Sequence, residues 1–168
     1  MSANSQGNWG KTQFLKDGEI WTTILGEINS AESEICIAFP WITYDPLVET
    51  LLKVKKQRPH IKIKVITSIN HDNPEHAENI RKLDKYGIQI QTIFQPFVHC
   101  KSVCVDRKVL ITGSANATFS AANLNKEHGI LTEEELPIEK FQKDFEKDWS
   151  AALSWGAKIT REDTVRAI

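Results

Sequence analysis

Short runs rich in β-branched residues alternate along this chain with longer stretches whose apolar residues recur every three or four positions. That alternation limits the fold more than any other feature of the sequence. Ile20, Ile24, Leu25, Ile28 and Ala31 mark one face of an amphipathic helix over 17–31. EICIAFP, residues 34–40, follows as a short strand closed by proline, and Thr43-Tyr44-Asp45-Pro46 offers a cap and a first-turn proline to a helix running to about Gln57. IKIKVITS, residues 61–68, is a second strand. A polar loop over 70–77 leads into a helix that ends at Gly87, a C′ glycine, and IQIQTIF, residues 88–94, alternates as a third strand. Strands separated by helices pair in parallel through right-handed crossovers. HCKSVCV (99–105) and KVLITG (108–113) differ, because only Asp106-Arg107 lies between them, and this spacing predicts an antiparallel hairpin. A short helix near 117–124, a strand at EHGILTE (127–133) and a helix with Phe141, Phe145, Trp149 and Leu153 in step complete the pattern. The expected fold is a three-layer α-β-α sandwich on a mixed, largely parallel sheet. It forms one domain over 16–168, preceded by a flexible segment over 1–15.

Composition serves mainly to exclude. At 168 residues the chain buries a core without staples, and its three cysteines, Cys36, Cys100 and Cys104, cannot all pair, so a secreted disulfide scaffold is not expected and a reducing, cytoplasmic setting is. Cys100 and Cys104 read as small buried residues on one pleat face. The longest apolar run, 35–42, contains Pro40 and falls far short of the roughly 20 residues a membrane helix needs. The first fifteen residues hold no apolar stretch of the kind a secretion signal requires. With 21 Lys+Arg against 22 Asp+Glu the net charge is −1, so any polyanion must be met by a local site. The run Lys53, Lys55, Lys56, Arg58, Lys62, Lys64 reads as a solvated face with a phosphate-backbone footprint as the alternative. No G-x-S-x-G elbow and no G-x-x-x-x-G-K-[ST] loop occurs. His71, Asp72, Glu75 and His76 have the residue types of a metal site but not its spacing, and a helix cap by Asp72 or Asn73 explains them more simply; neither a metal nor a cofactor is expected.

One segment carries chemistry: His99-x-Lys101-x4-Asp106-x6-Gly113-Ser114-x-Asn116. On a strand, His99 and Lys101 would share one face about 6.6 Å apart at roughly 3.3 Å per residue, so a single phosphate could touch both. A neutral imidazole, with an ordinary pKa near 6.5, is a nucleophile at neutral pH, and an ammonium beside it offsets the negative charge of a phosphoryl transition state. Gly113-Ser114-Ala115-Asn116 adds a turn, a hydroxyl and a carboxamide where a strand runs into a helix, although Ser114 and Asn116 could equally cap that helix.

The six positions and their spacing closely resemble the HKD signature of the phospholipase D superfamily, in its short, single-motif, Nuc-type form, with Asn125 and Glu127 similar to the downstream Asn-x-Glu element. The resemblance implies a metal-independent phosphodiesterase working through a covalent phosphohistidine on His99. Its catalytic set would be His99, Lys101, Asp106 and Glu127, with Lys101, Ser114 and Asn116 on the substrate phosphate. A carboxylate at Glu127 would hold the ring tautomer of the histidine. Asp106 taken by itself, in the hairpin turn and on the pleat opposite His99, reads as a fold-holding turn bond or ion pair. Such hydrolysis uses two motif copies, one histidine attacking and the other protonating the leaving oxygen, and this chain has one. A homodimer sharing its active site is therefore expected. The expected substrate is DNA or RNA, single-stranded by preference, with Trp41 as a stacking surface for a base. The alternatives are a phospholipase or cardiolipin-type hydrolase, for which no amphipathic membrane helix is found, so stable membrane association is not expected, and a nucleic-acid-binding module without turnover.

Overall fold

The computed structural model describes residues 11–68, 73–94 and 96–155. Within them a single eight-stranded sheet runs in the order β1-β7-β6-β5-β2-β3-β4-β8. The strands are β1 (Thr12–Lys16), β2 (Glu34–Ala38), β3 (Lys62–Ser68), β4 (Gln89–Ile93), β5 (Ser102–Val105), β6 (Val109–Gly113), β7 (His128–Thr132) and β8 (Leu153–Ser154). The helices are α1 (Gly18–Ser30), α2 (Asp45–Gln57), α3 (Pro74–Lys85), α4 (Phe119–Asn123) and α5 (Glu135–Ala151). The mixed α/β sandwich is the expected one. Its parallel part is small: only β2–β3 and β3–β4 pair in parallel, and the other five ladders are antiparallel.

Period-two burial divides the core into two layers. Ile35, Ile37, Ile63, Val65, Ile90, Val103, Val105, Ile111 and Leu131 point to one face and pack against Trp21, Ile24 and Ile28 of α1, Leu47, Leu51 and Val54 of α2, and Ile80 and Leu83 of α3. Cys36, Ala38, Ile66, Cys104 and Leu110 point the other way, onto Ile138 and Phe145 of α5. Helix ends follow local chemistry. Asn73 caps α3 by accepting from His76 N at 3.0 Å, Gly87 takes a positive φ of 77° just past that helix, and Thr118 caps α4 by accepting from Ala121 N. Ser114 and Asn116 are thereby released from the capping role.

The expected flexible segment over 1–15 is corrected in its last residues. Thr12–Lys16 forms edge strand β1, antiparallel to β7, with Leu15 buried and the Thr12 and Thr132 hydroxyls 2.9 Å apart. The pairing supplies what local pattern does not, because an edge strand with one buried side chain has almost no alternation to read. Residues 1–10 lie outside the described part. Cys36 and Cys104 are buried as a directly opposed cross-strand pair, whereas Cys100 is exposed, against expectation, because β5 begins two residues after it.

Candidate active site

The C-terminal ends of β2, β3, β4 and β6 and the N-terminal ends of β5 and β7 meet at one edge of the sheet, and the motif residues gather there. His99 and Lys101 are not on a strand. They lie in an irregular segment that precedes β5 and is tied to the end of β3: Val98 N donates to the buried Ser68 Oγ at 3.0 Å, and that hydroxyl donates to Val98 O at 3.3 Å. The Lys101 carbonyl accepts from Gly113 N at 3.2 Å and from the Thr112 hydroxyl at 3.3 Å, which holds the two halves of the motif side by side. Lys101 Nζ donates to the His99 carbonyl at 2.8 Å, leaving two ammonium protons for a ligand. Partial burial pulls the Lys101 ammonium below its ordinary pKa, while Cys100 and Glu127 act in the opposite direction. His99 and Lys101 are thus adjacent through a backbone contact rather than through a shared pleat.

Glu127 is buried beside them, but in a different role from the one expected. Its carboxylate accepts a short hydrogen bond from the Ser114 hydroxyl and another from Asn125 Nδ2 at 3.1 Å, so both oxygens are engaged and the expected bond to the His99 ring is not made. Ser114 in turn accepts from His128 N at 3.1 Å, and its own N donates to His128 O at 2.9 Å. The hydroxyl must swing away from Glu127 before it can donate to a phosphate oxygen. The Asn116 side chain makes no hydrogen bond among the described residues, so its Nδ2 is free to donate to a phosphate oxygen, while its buried Oδ1 lacks a donor.

Asp106 is the clear correction to the catalytic set. It stands at the far end of β5, about 17 Å of extended chain from Lys101 at roughly 3.3 Å per residue. Its carboxylate accepts from the backbone N of Glu32 (2.8 Å), Ser33 (2.7 Å) and Glu34 (2.9 Å) and from the Ser33 hydroxyl (2.8 Å). Asp106 and Arg107 both have positive φ, 53° and 56°, as a two-residue turn of the mirror-image type demands, and Arg107 adds an ion pair to Glu34 at 2.9 Å. The residue belongs to the hairpin and its anchor on β2.

Four more residues complete the site: Phe97 and Asn79, to which the sequence assigns no role, and Asp17 and His76, to which it assigns a different one. Phe97, 46% exposed, lies with its ring centroid 6.1 Å from that of Trp41 and 6.2 Å from that of His99, so Trp41, Phe97 and His99 form a row of tilted rings. Asp17, assigned only to the start of α1, accepts from Glu127 N at 3.0 Å and donates its own N to Glu127 O at 2.9 Å. Its φ of 51° and ψ of −132° put it in a region almost reserved for glycine. His76 accepts from Ile42 N at 2.9 Å through Nδ1, and Asn79 donates to Ile42 O at 3.3 Å; Ile42 in turn bridges to Ala117, so α3 holds both the Trp41 loop and the Asn116 loop. With Nδ1 accepting from that amide, the neutral His76 ring carries its proton on Nε2; His71 and Asp72 of the metal-ligand pattern lie outside the described residues.

The basic run contributes nothing to this edge. Lys55 donates to the carbonyls of Pro59 and Ile61, Arg58 to those of Ala31 and Asn29, and Lys64 pairs with Glu146 at 2.8 Å, all toward the opposite edge, where β3 begins. No helix of the described residues is long and apolar enough to cross a membrane.

Comparison with known proteins identifies the family and the fold. A family described as "Cardiolipin synthase, PLD-like domain" matches residues 24–149. The human "Mitochondrial cardiolipin hydrolase" is 33% identical over 90 residues, 53% of this chain and 35% of the relative, so the match spans about a third of that relative's length. Among solved structures, Nuc of Salmonella typhimurium, described as a phospholipase D family member, superposes with a TM-score of 0.78 at 20% identity, covering 86% of this chain and 98% of that one. NucT from Helicobacter pylori gives 0.79 at 20% identity, covering 86% and 99%. At that identity the likeness is one of fold.

Proposed function

The chain belongs to the phospholipase D superfamily, and from that premise we propose that it is a phosphodiesterase that cleaves single strands of DNA or RNA without a metal ion. The observation that carries the choice of substrate is the Trp41–Phe97–His99 row. Aromatic faces in line with the nucleophile suit successive unpaired bases, each worth about 1–3 kcal/mol when stacked. The fold shared with Nuc and NucT supports the same reading.

In the proposed reaction a ring nitrogen of His99 attacks phosphorus, and the bond from phosphorus to the leaving oxygen breaks. The His99 imidazolium of a second copy of the chain gives its proton to that oxygen. Lys101 and Asn116 bind the non-bridging oxygens, joined by Ser114 once it turns from Glu127. Water then attacks the phosphohistidine, the neutral imidazole of the second copy takes the water's proton, and His99 is released. A nucleophile and an acid of the same residue type need opposite protonation states, which is why the scheme calls for a homodimer.

The names of the cardiolipin hydrolase relatives favour a second reading, hydrolysis of a lipid phosphodiester at the same site. One experiment separates the two. The protein is incubated in EDTA with labelled single-stranded DNA, RNA, duplex DNA and cardiolipin vesicles, beside His99→Ala, while light scattering follows the assembly. Cleavage of single strands by a dimer, lost in His99→Ala, is the expected result. Cleavage abolished by EDTA, retained in His99→Ala, or given by a monomer overturns the mechanism, and cleavage of lipid alone moves the assignment to the second reading.

A further inference from the structure

Behind the His99 segment, between the sheet and α5, lies a cavity of about 420 Å³, within the range of small-ligand pockets. His99 itself forms part of its wall, so whatever fills it adjoins the reacting phosphorus. Its lining is mostly apolar, with Phe97, Phe141 and Phe145 contributing ring surface, and Phe141 and Phe145 pack with centroids 5.7 Å apart. Among the described residues, the charged groups at its rim are two carboxylates, Asp144 and Asp148, one turn apart on α5, and no lysine or arginine lines it.

This distribution of charge sorts the two halves of a phosphodiester substrate. Among the described residues a phosphate in the cavity would face two carboxylates and no lysine or arginine, so the phosphate belongs on the other side of His99, with Lys101 and Asn116. The group entering the cavity must be neutral or cationic, must offer apolar or aromatic surface to the phenylalanine rings, and gains most if it donates hydrogen bonds. A saturated acyl chain meets the first need and leaves the carboxylates unpaired. An unpaired nucleobase carrying an exocyclic amine meets all of them. Its face stacks on a ring, and its amine donates to a carboxylate, as acidic side chains accept from the amine of cytosine. Thymine and uracil lack that amine, and their single Watson–Crick donor, N3–H, lies between two carbonyl oxygens that the acids repel.

Resting on the nuclease reading above, we propose that this cavity is a base-selective subsite, in which Phe97 and Phe141 flank a base next to the scissile phosphate and Asp144 and Asp148 select adenine, cytosine or guanine over thymine or uracil. Burial, with Asp144 close by, raises the Asp148 carboxyl above the usual carboxylate range, and burial followed by the same two aspartates raises the Cys100 thiol. Both shifts mark the rim as partly desolvated, where a hydrogen bond to a carboxylate counts for more than it does in water.

The test uses the intact protein and thymidine oligonucleotides carrying one internal dA, dC, dG or abasic position, with every cut mapped on a sequencing gel. Cutting is expected to concentrate at the bonds flanking dA, dC or dG, roughly tenfold above thymidine–thymidine bonds, the scale of one hydrogen bond to a charged group. Bonds flanking the abasic position are expected to be cut more slowly than any of these. In the double variant Asp144→Asn/Asp148→Asn the ratio should fall toward one, and because it is taken within one sample it does not depend on how much of the variant is folded. Even cutting at every bond, or an undiminished ratio in the double variant, overturns the subsite and leaves the nuclease reading standing. Failure to cut any oligonucleotide, together with hydrolysis of cardiolipin or phosphatidylcholine vesicles, overturns both.

Discussion

Replacing Gly113 by alanine tests whether the site depends on the close approach of β6 and β7. Gly113 lies directly opposite Gly129 in that ladder, and a Cβ at position 113 would stand 2.3 Å from the His128 carbonyl oxygen and 2.6 Å from Gly129 Cα. Both are backbone atoms, so no side chain can swing aside. Contacts under 3.0 Å are essentially never seen for real Cβ atoms, and the strands must therefore part by at least about 0.7 Å, the difference between 3.0 and 2.3. Two hydrogen bonds cross the ladder at this point, Ser114 N to His128 O at 2.9 Å and His128 N to Ser114 Oγ at 3.1 Å. Lengthened by that amount they reach about 3.6 and 3.8 Å, beyond hydrogen-bonding distance.

The cost follows from these distances. Overpacking of a tight site costs about 1–3 kcal/mol and each lost hydrogen bond about 1 kcal/mol, so Gly113→Ala should be destabilised by about 3–5 kcal/mol where the ladder cannot relax and less where it can. Ser114 and the chain leading to Glu127 move with the strands, and displacements near 1 Å at a catalytic site lower rates by about a hundredfold. Urea unfolding measures the first effect, and the rate of phosphodiester hydrolysis by the folded variant measures the second. Gly129→Ala is the internal comparison. Its Cβ meets the movable Ile20 side chain at 3.3 Å and Thr112 O at 3.4 Å, and about 1 kcal/mol or less is expected. A Gly113→Ala protein with the urea midpoint and turnover of the parent would refute the argument, as would Gly129→Ala being the more damaging change.

Other substitutions separate framework from chemistry. Asp106→Asn keeps one acceptor oxygen where the carboxylate has two, and should cost about 1–2 kcal/mol in urea unfolding while turnover stays within about threefold; a hundredfold loss of rate would return Asp106 to the catalytic set. Burial opposes ionisation of Asp106, but its hydrogen bonds outweigh burial and hold its carboxyl below the usual range. Its stabilisation is complete above the unfolded value near 3.9 and is lost as pH falls through the folded one, so the acid limb of stability should be flatter in Asp106→Asn. Burial likewise lowers the pKa of His76, with its contacts to Ser68 and Ile42 acting the other way. The neutral ring is thus favoured in the fold, and stability present above about pH 6.5 should decline as pH falls below it, a decline that His76→Gln removes while keeping an acceptor for Ile42 N. Asp17→Ala loses the bond to Glu127 N but keeps the disfavoured backbone, whereas Asp17→Gly loses the bond and relieves the backbone. Glycine should be the more stable of the two by about 1 kcal/mol in thermal or urea unfolding, and the reverse order would show the backbone to be unstrained.

The elements legible in the sequence are those whose pattern is local. α1, α2 and α3 each bury one stripe, β3 and β4 alternate, and the Asp106-Arg107 turn is short enough to force a hairpin. What escaped depends on contacts distant in the chain. β1 exists because β7 offers it an edge, and β8, two residues long, because β4 does. The strand expected from residue 99 begins only at Ser102, since Ser68 takes the backbone groups of Val98 and draws the preceding chain out of the ladder. The site residues could be named from their spacing, but their partners could not. Glu127 bonds Ser114 and Asn125 because Asp17, 110 residues earlier, grips the Glu127 backbone. Phe97 carries no spacing signal at all, and its importance comes only from lying between Trp41 and His99.

These contacts also change what a net charge of −1 means for a polyanionic substrate. The sequence offers its basic residues most densely between Lys53 and Lys64, yet three of the cations there are spent on carbonyls and on Glu146, and the run lies at the edge of the sheet opposite His99. At the site, one half-buried lysine stands beside His99, with a row of rings on one side and a cavity edged by acids behind it. Affinity for a nucleic acid strand built this way rests on stacked bases more than on neutralised phosphates, and each neutralised phosphate contributes only about 0.7 to the logarithmic salt slope of a single strand. In the proposed dimer a second lysine would reach the same phosphate without adding a basic face. The near-neutral balance is therefore compatible with a strand-cleaving role, because the charge that matters is needed at the phosphorus and not along the groove.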